Sequence, residues 1–394
     1  MVSYRAAWVL PIVAPPIPGG VVSIAGDLIA AVGEHAGGAV EDLGRVAILP
    51  GLVNAHTHLE LSWMRGQVPP SGSMPAWAAS LMALRRSVSH EPPEPIAAAI
   101  AEARASGTCL VGDITNTFAT YEPLLDSELS AVLFRELLGF AVSDPEASVA
   151  AAARQIADLT PIAWLRPSIV PHAPYSVSPA LMSAIARWTA GRPLSIHLGE
   201  SAQEIEFLRA GTGEWRALLE GLGVWNPSWT PPGCGPVDYL ERLGMVNRDL
   251  LAVHGVRFTD FDLIRLSAAR ATVVTCPRSN RWTGAGEPPM ERFYRSHVRV
   301  AIGTDSLASV EDLNLFNEMA EVRRLAPHVP AARILASATL TGAQALGFAS
   351  ELGSIEPGKR AQLLAVRIPA GVTDVEQYLV CGGIEPGDVR WLDT

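Results

Sequence analysis

His56-Thr57-His58 closes an apolar run that rises through Leu49 and Leu52-Val53. A strand sends alternate side chains to one face, so the two imidazoles point the same way, as two ligands of one metal ion would. Other apolar runs end near His172, His197 and His254, and near the carboxylates Glu200 and Asp305. Neutral imidazole and carboxylate are donors of a zinc-type site, and the same groups move protons in hydrolysis. Taken singly, each His is as readily a packed core residue as a ligand. Five at the ends of four runs, joined by two carboxylates, point to one site.

Something must carry those ends to one place. The apolar runs are Val46–Ala55, Thr108–Ile114, Ala131–Phe140, Leu165–Val170, Leu194–Leu198, Leu250–Val256, Thr272–Cys276 and Val298–Gly303. Helical stretches separate them: Pro75–Ser87, Glu94–Ala105, Ser148–Leu159, Pro179–Thr189, Gln203–Ala210, Asp260–Ala269, Met290–Ser296 and Leu313–Leu325. Strand then helix, eight times over, is the pattern of a (β/α)8 TIM barrel in the α/β class. Parallel strands buried on both faces read as such uninterrupted β-branched runs. Chemistry in these barrels sits where strands end. Those ends bring further candidates: Asp113 after the second run, Arg135 and Glu136 on the third, and Arg278, Ser279 and Asn280 after the seventh. The remaining histidines, His35, His90, His297 and His328, fall in expected loops or helices.

Both termini differ in character. Short apolar runs with Gly turns fill residues 1–47, and the last fifty residues repeat the style in Gln362–Val366, Tyr378–Val380 and Val389–Leu392. A small β-sandwich domain is expected from residues 1–50 and 346–394, with residues 51–345 as the barrel. The Pro-rich insert Gly223–Pro236 lies between the fifth and sixth runs, as a surface elaboration or part of a rim.

Composition narrows the partners. Hydrophobic residues make up 48% and charged residues 18% of the 394, which favours a large core over disorder. A net charge of −10 argues against a nucleic acid polymer or an acidic membrane surface. No run of 18 apolar residues suggests a membrane span, and Pro11, Pro15, Pro16 and Pro18 break the apolar N-terminal stretch that might pass for a signal peptide. Cys109, Cys234, Cys276 and Cys381 are widely spaced without a CxxC, which fits a reducing compartment and no cysteine metal site. The cytoplasm is the expected location.

At this point the motifs carry a resemblance. PGLVNAHTH, IHLGE, VH, CPRSN, IGTDS and GSIEPGK occur in the order seen in the amidohydrolase superfamily, and the chain resembles its purine and cytosine deaminase branch. The resemblance implies one divalent metal, Zn²⁺ first with Fe²⁺ the alternative, on His56, His58, His197 and Asp305. It implies that His254 orients and deprotonates a water, that Asp305 shuttles the proton, and that Glu200 protonates a ring nitrogen. It also gives His172 a substrate contact. Relatives with two metals bridge them with a barrel lysine, and the single lysine here is Lys359 in the C-terminal PGK turn. The cytidine-type design needs H-x-E with P-C-x-x-C, and no Cys-x-x-Cys exists. Glu60 in His58-Leu59-Glu60 is therefore expected to be a rim or structural carboxylate. Gln362 departs from the acid common in the PGK-x-A-D turn.

For substrate, CPRSN with HTHLELS is most similar to deaminases of adenosine-like compounds with altered 5′ groups. Aminodeoxyfutalosine, of menaquinone biosynthesis, comes first; S-adenosylhomocysteine, methylthioadenosine and adenosine follow. The stretch Trp63–Arg86, with Trp77, is expected either to cover the substrate or to form a surface helix. Arg135, Glu136 and Asn280 are further substrate candidates, and Arg278 is expected to meet a polar or anionic 5′ substituent. Hydrolysis of another leaving group, such as chloride from a triazine, is the alternative within the superfamily; a silent metal-binding protein is the alternative outside catalysis. A homodimer is compatible with all of these.

Overall fold

The computed structural model describes residues 1–34, 39–88 and 92–392. The Gly-rich turn read at His35–Gly38, and His90, lie outside the described residues. Eight parallel strands form the centre: β1 Leu52–Thr57, β2 Thr108–Thr115, β3 Ser130–Leu137, β4 Leu165–Pro171, β5 Leu194–Leu198, β6 Leu250–His254, β7 Thr272–Thr275 and β8 Arg299–Ile302. They pair as two four-stranded sheets in the orders β4-β3-β2-β1 and β5-β6-β7-β8. The sheets meet at two seams. At one, the His197 amide donates to the His172 carbonyl at 3.0 Å; at the other, the Asp305 amide donates to the His56 carbonyl at 3.1 Å. Every residue of β1, β2 and β6 is buried, as helix-covered parallel strands require.

Gly303 explains the second seam. A Cβ there would fall 2.7 Å from the His56 carbonyl oxygen and 2.9 Å from its Cβ. Only a residue without a side chain lets the end of β8 approach β1 so closely. That approach brings Asp305 beside the strand-one histidines.

Strands from both termini form two further sheets. One runs Leu28–Gly33, Val21–Ala25, Val2–Arg5, Val40–Asp42; the other runs Val389–Trp391, Leu363–Arg367, Val46–Pro50, Trp8–Val9, Ile17–Pro18. Tyr4, Val22, Ile24, Ile29, Ile48 and Leu363 share one apolar cluster between them.

Three features differ from the sequence reading. The run Val46–Ala55 is two strands, because the chain breaks at Gly51, where a Cβ would lie 2.6 Å from Cys109 Cβ. Its first half belongs to a terminal sheet. Tyr378–Val380 is not a strand but part of the helix Val375–Val380, which Asp374 caps by accepting from the Gln377 amide. Val375, Leu379 and Val380 share one side of that helix and pack into the main core, so the C-terminal stretch is not purely β. Short helices Glu214–Gly221 and Pro236–Arg242 also bracket the insert. Within it, Trp225 and Trp229 pack against Phe140 and Phe207 at ring separations of 4.7–6.3 Å, so the insert is wall rather than loose surface.

Candidate active site

The ends of β1, β5, β6 and β8 converge. His56 Nε2 lies 3.2 Å from both His58 Nε2 and His197 Nε2. Asp305 Oδ1 lies 3.4 Å from His58 Nε2 and 3.8 Å from His56 Nε2. His254 Nε2 lies 3.7 Å from Glu200 Oε1. His56, His197, His254, Glu200 and Asp305 are all buried.

Backbone geometry aims these groups. His254 and Asp305 adopt positive φ, +75° and +63°. Non-glycine residues take that conformation at a cost of order 1–3 kcal/mol, and it gathers at functional sites. The strand β6 ends at His254, and Asp305 lies three residues beyond the end of β8. Gly199, with φ +62°, turns the chain between His197 and Glu200, and a Cβ would strike Phe258 at 2.6 Å.

The protonation states follow from burial. Loss of water pushes the imidazoles of His56, His58 and His254 well below their ordinary range and His197 to about 4, and neighbouring imidazoles push the same way. His197 Nδ1 donates to the His172 carbonyl at 3.0 Å, so its Nε2 carries a bare lone pair. Burial raises Asp305 to about 6, opposed by the Ser279 hydroxyl, and raises Glu200 well above the carboxylate range. Three neutral imidazole nitrogens and a carboxylate thus crowd together. Zinc–nitrogen bonds of about 2.0–2.1 Å at tetrahedral angles imply N···N edges of about 3.3–3.4 Å. The 3.2 Å separations of His56 from His58 and from His197 match that spacing, and donor atoms of His56, His58 and Asp305 all lie within 4.8 Å of one another, as donors to one divalent ion would.

The site opens into a cavity of about 450 Å³, within the range of small-molecule pockets. His58, His197, His254, Glu200 and Asp305 line it. A family model, "Amidohydrolase family", matches residues 47–383, spanning the site and both seams. The chain belongs to the amidohydrolase family. Amidohydrolases of this kind act on carbon–nitrogen bonds other than peptide bonds, and this protein is such a hydrolase. An aminodeoxyfutalosine deaminase from Deinococcus radiodurans is 34% identical, covering 83% of this chain and 81% of its own. A 5-methylthioadenosine/S-adenosylhomocysteine deaminase from Moorella thermoacetica is 29% identical over 98% of this chain and 94% of its own. A solved structure of an adenosine deaminase from Xanthomonas campestris with bound zinc superposes with a TM-score of 0.82, at 27% identity, covering 98% of this chain and 90% of that one.

Within this amidohydrolase, the remaining candidates divide. Glu136, His172 and Trp77 line the cavity. Glu136 lies 3.9 Å from His197 and accepts from Asn116 Nδ2 at 3.0 Å; His172 Nδ1 meets the Ser176 hydroxyl at 2.6 Å. Burial lowers His172 to about 4. Three expected substrate contacts lie elsewhere. Arg135 faces away from the cavity, with Nε donating to Gln155 at 2.9 Å. It adjoins Glu136 on one strand, and neighbours on a strand face opposite ways. Arg278 is clamped by Glu318 at 2.6 Å and Asp312 at 3.0 Å, outside the cavity. Asn280 points inward, but its Oδ1 accepts from His254 Nδ1 at 2.8 Å, and it does not line the cavity. Glu60 is structural, as expected: it accepts from the Asn116 and Thr117 amides at 2.8 and 2.9 Å and from the Thr115 hydroxyl.

Asn116 and Arg85 escaped the sequence reading, and Ser279, a candidate there, is a partner of Asp305. The Ser279 hydroxyl donates to Asp305 Oδ2 at 2.6 Å, and Asn116 and Arg85 line the cavity. Ser279 sat inside the quoted CPRSN motif; nothing local marked the other two. The stretch after β1 divides likewise: Met74 and Trp77 line the cavity, whereas Trp63 and Met64 are buried in an apolar cluster beside it.

Proposed function

We propose that this protein is a mononuclear metal-dependent deaminase of an adenine nucleoside, with aminodeoxyfutalosine the first substrate to test and methylthioadenosine, S-adenosylhomocysteine and adenosine the others. The similar deaminases named above support this reading, as does the chemistry of the site. The eight central strands are read here as one closed (β/α)8 barrel, and the terminal sheets as a small β-sandwich.

His56, His58, His197 and Asp305 would hold the ion, Zn²⁺ in first place. When bound, such an ion supplies Lewis acidity that brings the ionisation of water to about pH 7. His254, its Nδ1 fixed by Asn280, presents Nε2 to the water and accepts its proton. Glu200 carries the argument for deamination. Its Oε2 is buried without a hydrogen-bond partner, its carboxyl lines the cavity, and burial keeps it protonated into a range where ordinary carboxyls are ionised. An aromatic C–NH2 carbon resists attack until the adjacent ring nitrogen gains a proton, and a protonated Glu200 is placed to give it. Asp305, held by Ser279, relays a proton to the departing amine. Water adds at carbon, the C–N bond breaks, and ammonia leaves. Glu136, Asn116 and His172 offer hydrogen bonds to a ribose.

An ammonia-release screen of the zinc-loaded protein across aminated purine nucleosides tests the reading. Rapid turnover of a chloro-triazine with no ammonia from any purine would replace deamination with chloride hydrolysis.

A further inference from the structure

Glu204 is fully buried, yet it does not line the cavity. It holds the third position of the helix Ala202–Ala210, whose N-cap Ser201 accepts from the Glu204 amide at 3.2 Å. An acid at that position commonly closes a capping box by accepting the N-cap amide. Here the carboxylate reaches further, to the two residues ahead of the cap. Its Oε1 accepts from the Gly199 amide at 2.8 Å and its Oε2 from the Glu200 amide at 2.9 Å. Both oxygens are therefore committed to the turn that carries the site acid. The carbonyl side of that turn is fixed separately, by the Arg257 amide on the Gly199 carbonyl at 2.7 Å and the Gly255 amide on the Leu198 carbonyl at 3.1 Å. Glu200 has no such anchor on its own side chain. Among the described residues no donor bonds its carboxyl: Oε2 is buried without a partner, and Oε1 lies 3.7 Å from His254 Nε2. The carboxyl inherits its place from its backbone, and Glu204 holds the amide side of that backbone.

We propose that Glu204 is a positioning residue for the site acid: its carboxylate pins the Gly199 and Glu200 amides and so sets where the Glu200 carboxyl stands, without touching substrate or metal. This rests on the deaminase reading above, in which Glu200 gives a proton to the ring. Hydrogen bonds from amides to a carboxylate are short and strong, and burial keeps water from competing for them. Gly199, at φ +62°, bends the turn with no side chain of its own to brace it, so the bend depends on these bonds. A misplacement of about 1 Å at a reacting group costs on the order of 10²-fold in rate. A glutamine at position 204 offers one acceptor and one donor, and its donor would meet an amide N–H.

The test is a double-mutant cycle on the full-length zinc-loaded protein, with ammonia release from an adenine nucleoside as the readout. Glu204→Gln alone should lower kcat by roughly 10- to 100-fold, with KM and bound zinc unchanged. In a Glu200→Ala background the same substitution should change kcat by less than about twofold, because no carboxyl remains to be placed. If Glu204→Gln fails to fold, Glu204→Asp, one methylene shorter, enters the same cycle with the same expectation. An equal loss in both backgrounds would make Glu204 a merely structural residue and overturn the proposal, as would an unchanged kcat or a loss carried by KM or zinc content. If the wild type releases no ammonia from any adenine nucleoside, the deaminase reading fails and a crystal structure of Glu204→Gln decides the placement. A Glu200 carboxyl displaced from His254 upholds it; one still 3.7 Å away overturns it.

Discussion

Asn280 Oδ1 lies 2.8 Å from His254 Nδ1, so the last residue of the CPRSN motif grips an imidazole rather than a substrate. This fixes the tautomer that leaves Nε2 bare toward the site. Asn280→Ala should lower kcat by roughly 10- to 100-fold, in line with the worth of an oriented base. KM and metal content should hold. Ammonia-release kinetics with metal analysis check this; a raised KM with kcat intact would return Asn280 to substrate binding.

Arg278 is bound into the wall instead. Its Nε donates at 2.6 Å to Glu318, whose side chain is fully buried. Arg278→Met leaves that carboxylate unpaired and should cost about 3–5 kcal/mol of stability. Thermal unfolding should show a lowered midpoint, with KM for the folded fraction unchanged. Adding Glu318→Leu should recover part of the loss, since an apolar pair replaces a buried charged one.

The contrast between these two residues shows what the sequence could carry. The histidines were legible because strand alternation and the chemistry of strand ends are local rules, and each of the five sits at or just beyond the end of its strand. The same rule separates Arg135 from Glu136, which no substrate could touch together. Arg278, Ser279 and Asn280 lie on the helix Pro277–Trp282, where successive side chains turn by about 100°. One motif therefore sends its arginine to Glu318, its serine to Asp305 and its asparagine to His254. Arg85 and Asn116 reach the cavity through tertiary packing alone, from a helix surface and from the loop after β2, and no spacing announces them. The break at Gly51 was hidden in a continuous apolar run, because what forbids a side chain there is Cys109, distant in sequence.

Ser279 holds Asp305 Oδ2 at 2.6 Å. Partners of this kind typically change metal affinity or activity by roughly 10- to 100-fold when removed. Ser279→Ala should weaken zinc retention against a chelator and lower turnover within that range. Competition with a chromophoric chelator measures the first and ammonia release the second.

Glu200→Gln keeps the shape of the side chain but cannot give up a carboxyl proton. Turnover of an aminated purine should fall by roughly 10²- to 10⁴-fold, the span of general acid–base catalysis, with bound metal retained. Equal loss of metal and activity would place Glu200 in the metal site instead of opposite the ring.

The proposed binding of one cation by His56, His58, His197 and Asp305 is tested most directly by titrating zinc into chelator-stripped protein while ammonia release from an adenine nucleoside is followed. The rate should be negligible without metal, rise linearly, and level off at one equivalent per chain. Full activity in the stripped protein, or a plateau that needs two equivalents, would contradict a single catalytic ion.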